Sequence, residues 1–341
     1  MRLKRTALFA ATIALLTPAL LTPALLAPAA AAADSTGNDH HGHHSRPVVT
    51  TLATGLSGAS GSTIGPDGAL YVTEAALGQV TRIDTRTGEK TVYASGLPPA
   101  VIDLGGALDV VFIGRTAYVL VTLVSPDVGG TNVSGIYRVD DRDSFTVIAD
   151  IGAWAIAHPP ATPFDVPSGL QFALDRYRGG FLVTDGHHNR VLSVSRSGVI
   201  RQVVQFGNTV PTGLDVRGKS VFLAEAGAVP HAPADGKVVV FGTHRPQPRV
   251  LASGYSLLVD VEFDSAGRLY ALSQGDSPGQ VPAGSPALAN SGELLRVTPG
   301  GRLVPVVAGL DLPTSVDFSR RAAFVVTIGG EVLRITGLPK R

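Results

Sequence analysis

One unit recurs six times between about residue 48 and the end of the chain: a short apolar strand, a tight turn, a second strand centred on an aromatic or aliphatic pair, a loop, and a third, alternating strand. Repetition at this period is the signature of an array of equivalent supersecondary units. The second strands are Leu70–Glu74, Ala117–Val121, Phe181–Asp185, Val221–Glu225, Leu269–Ser273 and Ala323–Thr327. Each follows a strand predicted to end at Ile64, Phe112, Phe172, Val216, Phe263 or Phe318, across turns such as Gly65-Pro66-Asp67-Gly68 that make antiparallel hairpins. Third strands are expected at Gln79–Asp84, Gly135–Val139, Arg190–Val194, Lys237–Phe241, Glu293–Val297 and Glu331–Ile335, where alternation marks sheets patterned on both faces.

A fourth strand follows the first five units, as at Lys90–Ala94 and Leu303–Ala308, but the sixth unit stops too early to contain one. Val48–Ala53, followed by Gly55-Leu56, resembles the strands before Ser95-Gly96-Leu97 and Ala308-Gly309-Leu310. It therefore fits the vacancy and is expected to seal the ring, leaving only short edges. The expected architecture is an all-β, six-bladed β-propeller of four-stranded antiparallel blades over residues 48–341. A sandwich needs no six equivalent units, and an open solenoid has no use for an N-terminal strand that matches a C-terminal gap.

Residues 1–33 carry Arg2, Lys4 and Arg5, an apolar stretch from Ala7 to Leu26 broken by Pro18 and Pro23, and the small-residue run Ala29–Ala33. This is the layout of a secretory signal peptide, with cleavage expected near Ala33 and a retained anchor as the alternative. The chain has no cysteine, so a lipid-modified start and a disulfide framework are both excluded. The expected location is outside the cytoplasm, secreted or in the cell envelope, with no membrane span after cleavage. Residues 34–47 hold His40, His41, His43 and His44 and read as a flexible linker, with weak capture of Zn²⁺ or Cu²⁺ as the alternative. With 28 basic and 27 acidic residues there is no field to recruit nucleic acid.

Phe181-Leu182-Val183-Thr184-Asp185-Gly186-His187-His188-Asn189-Arg190-Val191 looks like the core of an NHL-type repeat. The order Gly65–Glu74, then Asp109-Val110-Val111-Phe112, Asp150-Ile151-Gly152-Ala153-Trp154 and Pro211-Thr212-Gly213-Leu214 resembles the ScyD/ScyE family of exported propellers. The resemblance implies export and a propeller, with no established activity. One departure stands out: the polar Asn-Pro segment usual before the third blade is replaced by His158-Pro159-Pro160 to Val166-Pro167-Ser168.

In this strand order, the first-to-second and third-to-fourth turns share one face, and the remaining connections share the other. Four long segments, 122–134, 152–167, 226–236 and 274–292, land together on the second face, which makes it the candidate site. Ser168, Thr212, His187 and Trp154 are the candidate ligand residues there, and His158 and His231 lie in two of the long loops. Asp109 and Asp260 occupy equivalent positions three blades apart, hence across the channel. Converging oxygens are what Ca²⁺ takes, so these two are also candidate metal ligands; backbone bonding at the strand starts is the alternative. Asp215, Glu262 and Asp317 share a second position, while Glu74, Asp185 and Glu225 end second strands and suggest a repeated structural bond. A small ligand or protein partner bound on the long-loop face by a monomeric propeller is the leading expectation. A metal-dependent hydrolase or lyase at the channel mouth is the other.

Overall fold

The computed structural model describes residues 46–161, 164–242, 244, 246–279 and 285–339. The leader and the four clustered histidines lie outside the described residues. Six four-stranded antiparallel sheets make a six-bladed β-propeller. Its inner strands are Ala59–Ile64, Gly106–Ile113, Gln171–Tyr177, Pro211–Arg217, Leu258–Phe263 and Pro313–Ser319. Each packs beside the next, and the sixth packs beside the first, so the array is a circle around a central channel. Val48–Ala53 pairs antiparallel with Val332–Thr336, with Val48 opposite Thr336 and Ala53 opposite Val332. The sixth blade thus joins both ends of the propeller sequence.

Second strands are buried almost throughout because neighbouring blades cover both of their faces. That is why they read as unbroken apolar runs, whereas the outer strand Val48–Ala53 is mostly exposed. Aromatic pairs wedge the blade junctions: Tyr71 on Phe112 at 4.7 Å, Phe222 on Phe263 at 4.8 Å and Tyr270 on Phe318 at 4.8 Å between ring centroids. In each, a second-strand ring meets the aromatic of the next inner strand, and the T-shaped pairs contribute about 0.5–1.5 kcal/mol beyond their burial. Phe172 departs from the expected pattern. The third inner strand begins at Gln171 and runs to Tyr177, so Phe172 stands near its start, on the long-loop side, instead of at its end.

Every inner strand has a register irregularity at the same place, for example between Ala107 and Asp109 and between Leu258 and Asp260. Such a bulge frees backbone groups from the ladder, and the residues placed there must satisfy them. The connection between blades two and three, expected as a loop, contains the helix Ile151–Ala157. Its N-cap is Asp150, whose Oδ1 accepts the Ala153 amide at 2.7 Å.

Candidate functional site

The channel holds two layers of carboxylates, and all of them but Glu262 are committed to joining blades. Asp109 accepts the Val110 amide at 2.8 Å through Oδ1 and the Leu174 amide of blade three at 2.7 Å through Oδ2. Asp260 repeats this with Val261 at 2.8 Å and Val316 of blade six at 2.9 Å. Both oxygens of each carboxylate therefore face N–H donors at the bulge and on the next blade. A glycine precedes each in the neighbouring blade for want of space: a Cβ on Gly61 would come 2.5 Å from the Leu108 carbonyl, and one on Gly213 would come 2.6 Å from the Asp260 Cα.

One layer further along, Asp175 bonds the Val216 amide of blade four at 2.8 Å and Asp215 the Phe263 amide of blade five at 3.1 Å. Asp317 accepts the Ser62 hydroxyl at 2.5 Å. Glu262 occupies the same layer, and among the described residues its carboxylate makes no hydrogen bond. Thr212 acts in the same way from the hydroxyl side, donating to the Leu258 carbonyl of blade five at 2.8 Å and facing the Ala224 carbonyl at 3.1 Å. Calcium takes six to eight oxygens in a converging cage. Asp109 and Asp260 do not fit that role, because their lone pairs point at amides on different blades. Among the described residues no three His, Asp or Glu side chains gather to hold a metal.

Burial is the main cause that lifts these carboxyls, opposed by the amide bonds. Asp109, Asp260 and Glu262 are pushed well above the ordinary range, Asp175 and Asp317 to about 6, and Asp215 upward. Glu262 also feels repulsion from Asp215, Asp317, Asp260 and Asp175. Arg176 and Arg217 act the other way on Asp215, and Arg176 also on Asp175. A carboxyl raised by folding holds its proton in the native state while the unfolded chain has lost it. Its stabilisation is complete at low pH and disappears as pH climbs from about 4 through the raised value. Glu262→Gln is therefore expected to raise the melting temperature, and to raise it more at pH 8 than at pH 5. Calorimetric scans of variant and parent at the two pH values test this; an equal gain at both contradicts it.

The long-loop end of the channel is covered by an apolar cluster of Phe172, Val210, Val229, Leu257, Ala287 and Leu312. Phe172, Val210, Leu257 and Leu312 lie at the starts of the inner strands of four successive blades, so they surround the axis. The expected polar channel mouth is thus apolar over blades three to six.

The polar groups that remain on this face gather at blade three. Asp185 and Arg190 are register partners closing the hairpin between its second and third strands, and they are 0% and 1% exposed. Arg190 donates to Asp185 Oδ2 through Nε at 2.7 Å, to the His158 carbonyl through Nη1 at 2.7 Å and to His188 Nδ1 through Nη2 at 3.1 Å. Its guanidinium also lies 4.9 Å from the Trp154 ring centre, and Trp154 stacks on His158 at 4.3 Å. Gln171 binds the other oxygen of Asp185 at 3.0 Å. His188 Nδ1 also lies 3.1 Å from Asp185 Oδ2, and its Nε2 meets the Val166 carbonyl at 3.2 Å. Through the His158 carbonyl, the buried ion pair fixes the start of the loop that follows the helix Ile151–Ala157.

Against this braced floor lies a cavity of about 320 Å³, lined by Ala155, Ile156, Pro159, Pro160, Phe164, Pro167 and His188. His187 is packed behind Phe164 at 4.4 Å and is 7% exposed. Its Nδ1 has no hydrogen-bond partner, and the same is true of Nδ1 of His231, the histidine whose charge bears most on it. Burial pushes His187 down to about 4, so it is neutral at physiological pH. Ser168 is fully buried; its amide binds Asp127 Oδ2 at 2.8 Å.

Of the residues singled out from sequence, Trp154, His187 and Ser168 therefore converge around blade three. Asp109, Asp260 and Thr212 instead join blades within the channel wall. Glu74 and Asp185 do fix loops at their strand ends: Glu74 accepts the Ser57 amide at 2.8 Å. Arg190 and Phe164 were missed. The opposed charges of Asp185 and Arg190 across a four-residue loop were the available signal for the first; nothing in the sequence marked the second.

The fold and this site define a six-bladed propeller with a cavity on its long-loop rim. No family model and no curated protein matches the sequence. Among solved structures, the chain is similar to a gluconolactonase, XC5397 of Xanthomonas campestris, at 12% identity and TM-score 0.59, over 85% of this chain and 89% of that one. It is similar to a virginiamycin B lyase of Staphylococcus aureus at 11% identity and TM-score 0.51, over 85% and 99%. It is also similar to a PQQ-bound aldose sugar dehydrogenase of Streptomyces coelicolor at 15% identity and TM-score 0.51, over 85% and 98%. At these identities the likeness is one of fold, and the neighbours span several chemistries.

Proposed function

We propose that this protein is an exported propeller that binds a small molecule in the blade-three cavity, with no catalysis required. One observation carries the reading: a concave, mostly apolar cavity sits on a rigid scaffold with a buried imidazole, His187, whose Nδ1 has no partner, behind its wall. Sites of this kind pair an apolar lining with a few placed polar groups. Export rests on the leader-like residues 1–33 and on the resemblance to the ScyD/ScyE family; sequencing the N-terminus of protein recovered outside the cytoplasm should place the mature start near residue 34. No helix among the described residues is long and apolar enough to cross a membrane.

Binding is tested by thermal-shift screening of a small-molecule library against the parent and Ala155→Leu, which fills the cavity floor. Hits that raise the melting temperature of the parent and not of the variant support the site. Hits that stabilise both equally place binding elsewhere. A second reading, a hydrolase or lyase, draws on His187 itself, since a neutral imidazole with a free nitrogen is able to act as a general base. In that case His187→Gln abolishes turnover of a bound ligand while leaving its affinity within a few-fold.

A further inference from the structure

We infer that the blade-three cavity selects an uncharged, flat aromatic molecule of about two fused rings, an inference that rests on the reading of this cavity as the ligand site. The lining supplies the argument. Six of the seven described lining residues, Ala155, Ile156, Pro159, Pro160, Phe164 and Pro167, offer only apolar side chains. The three prolines also contribute no backbone N–H, so the wall is poor in donors and presents flat rings. His188, the one polar lining residue among the described residues, has both nitrogens engaged, Nδ1 with Arg190 and Asp185 and Nε2 with the Val166 carbonyl.

Formal charge is equally unavailable. Arg190, the cation beneath the floor, is spent on Asp185, on the His158 carbonyl, on His188 and on the face of Trp154. An ionised ligand would give up its hydration with no counter-charge to meet, a loss that buried ions do not recover without a partner. A sugar would bury several hydroxyls against a wall of mostly apolar side chains that offers few donors, and each unmade bond is costly. A planar aromatic needs neither, and packs against Phe164 and the proline faces. Size sets the upper limit: a dry cavity of about 150 Å³ holds one benzene, so 320 Å³ corresponds to about two fused rings.

The chain carries its own reporter. Trp154 is the only tryptophan and belongs to the same helix as the lining residues Ala155 and Ile156. The test titrates the full folded protein with 2-naphthol, 2-naphthalenesulfonate and glucose, following Trp154 emission with excitation corrected for probe absorbance, and measuring occupancy by equilibrium dialysis. 2-Naphthol is expected to bind at one site and alter Trp154 emission, with the sulfonate at least tenfold weaker and glucose without effect. Ile156→Glu, at a position 52% exposed on the rim, should weaken 2-naphthol at least fivefold without moving the melting temperature. Sulfonate binding as tight as 2-naphthol, or glucose binding in its place, would overturn the ligand class while leaving the cavity as a binding site. Binding of none of the three at millimolar concentration sinks both, and 2-naphthol binding that ignores Ile156→Glu and Phe164→Ser sinks the inference by locating the molecule elsewhere.

Discussion

Replacing Arg190 with methionine is expected to cost about 3–5 kcal/mol of stability, because it leaves the Asp185 carboxylate buried with no cation. Asp185 is 0% exposed and would retain the amide of Gln171, at 3.0 Å, and the ring Nδ1 of His188, at 3.1 Å, as its polar neighbours. The double variant Asp185→Asn with Arg190→Met removes the stranded charge and should recover much of the loss, since neutral groups of similar size replace a buried pair at little net cost. Arg190→Lys should fall nearer the methionine variant than the parent, because an ammonium cannot meet Asp185, the His158 carbonyl and His188 from one planar fork. Urea unfolding of the four proteins measures these differences. A loss under 1 kcal/mol for Arg190→Met would mean that water reaches Asp185 and that the floor of the cavity is not dry.

The second large effect is expected on removing residues through Ala53. Val48–Ala53 has five register pairs with Val332–Thr336, and at about 1 kcal/mol for each hydrogen bond the loss is on the order of 5 kcal/mol. The exposed Val332–Thr336 edge would then be free to pair with another chain. Urea unfolding combined with light scattering checks both consequences: a lower midpoint, and association that the parent does not show. Unchanged unfolding and a monodisperse truncated protein would show that the inner strands alone hold the circle.

What the sequence made legible was whatever repeated. The second strands, the first strands ending near Phe112, Phe263 and Phe318, and the closing strand all follow from period and from the missing sixth partner. What repetition does not encode was missed. The helix Ile151–Ala157 is seven residues long, too short for a periodic pattern to stand out, and its Asp150 cap lies where a family motif was read. The roles of Asp109 and Asp260 depend on a bulge, and a bulge is a matter of register. Opposition across the channel and backbone bonding at the strand starts were both foreseeable, but which amides the two carboxylates meet was not. Arg190 was read as the first residue of a third strand, and its burial depends on Trp154 and His158 arriving from another blade.

The pairing of Val48 with Thr336 places the two ends of the folded chain side by side, with Gly337 against Arg46, on the face of short turns. The cavity opens on the opposite side of the disc. A support, a label or a fusion partner joined to the propeller beside Arg46 or Gly337 would therefore hold it with its cavity turned outward, and two such attachments would sit beside each other without spanning the ring.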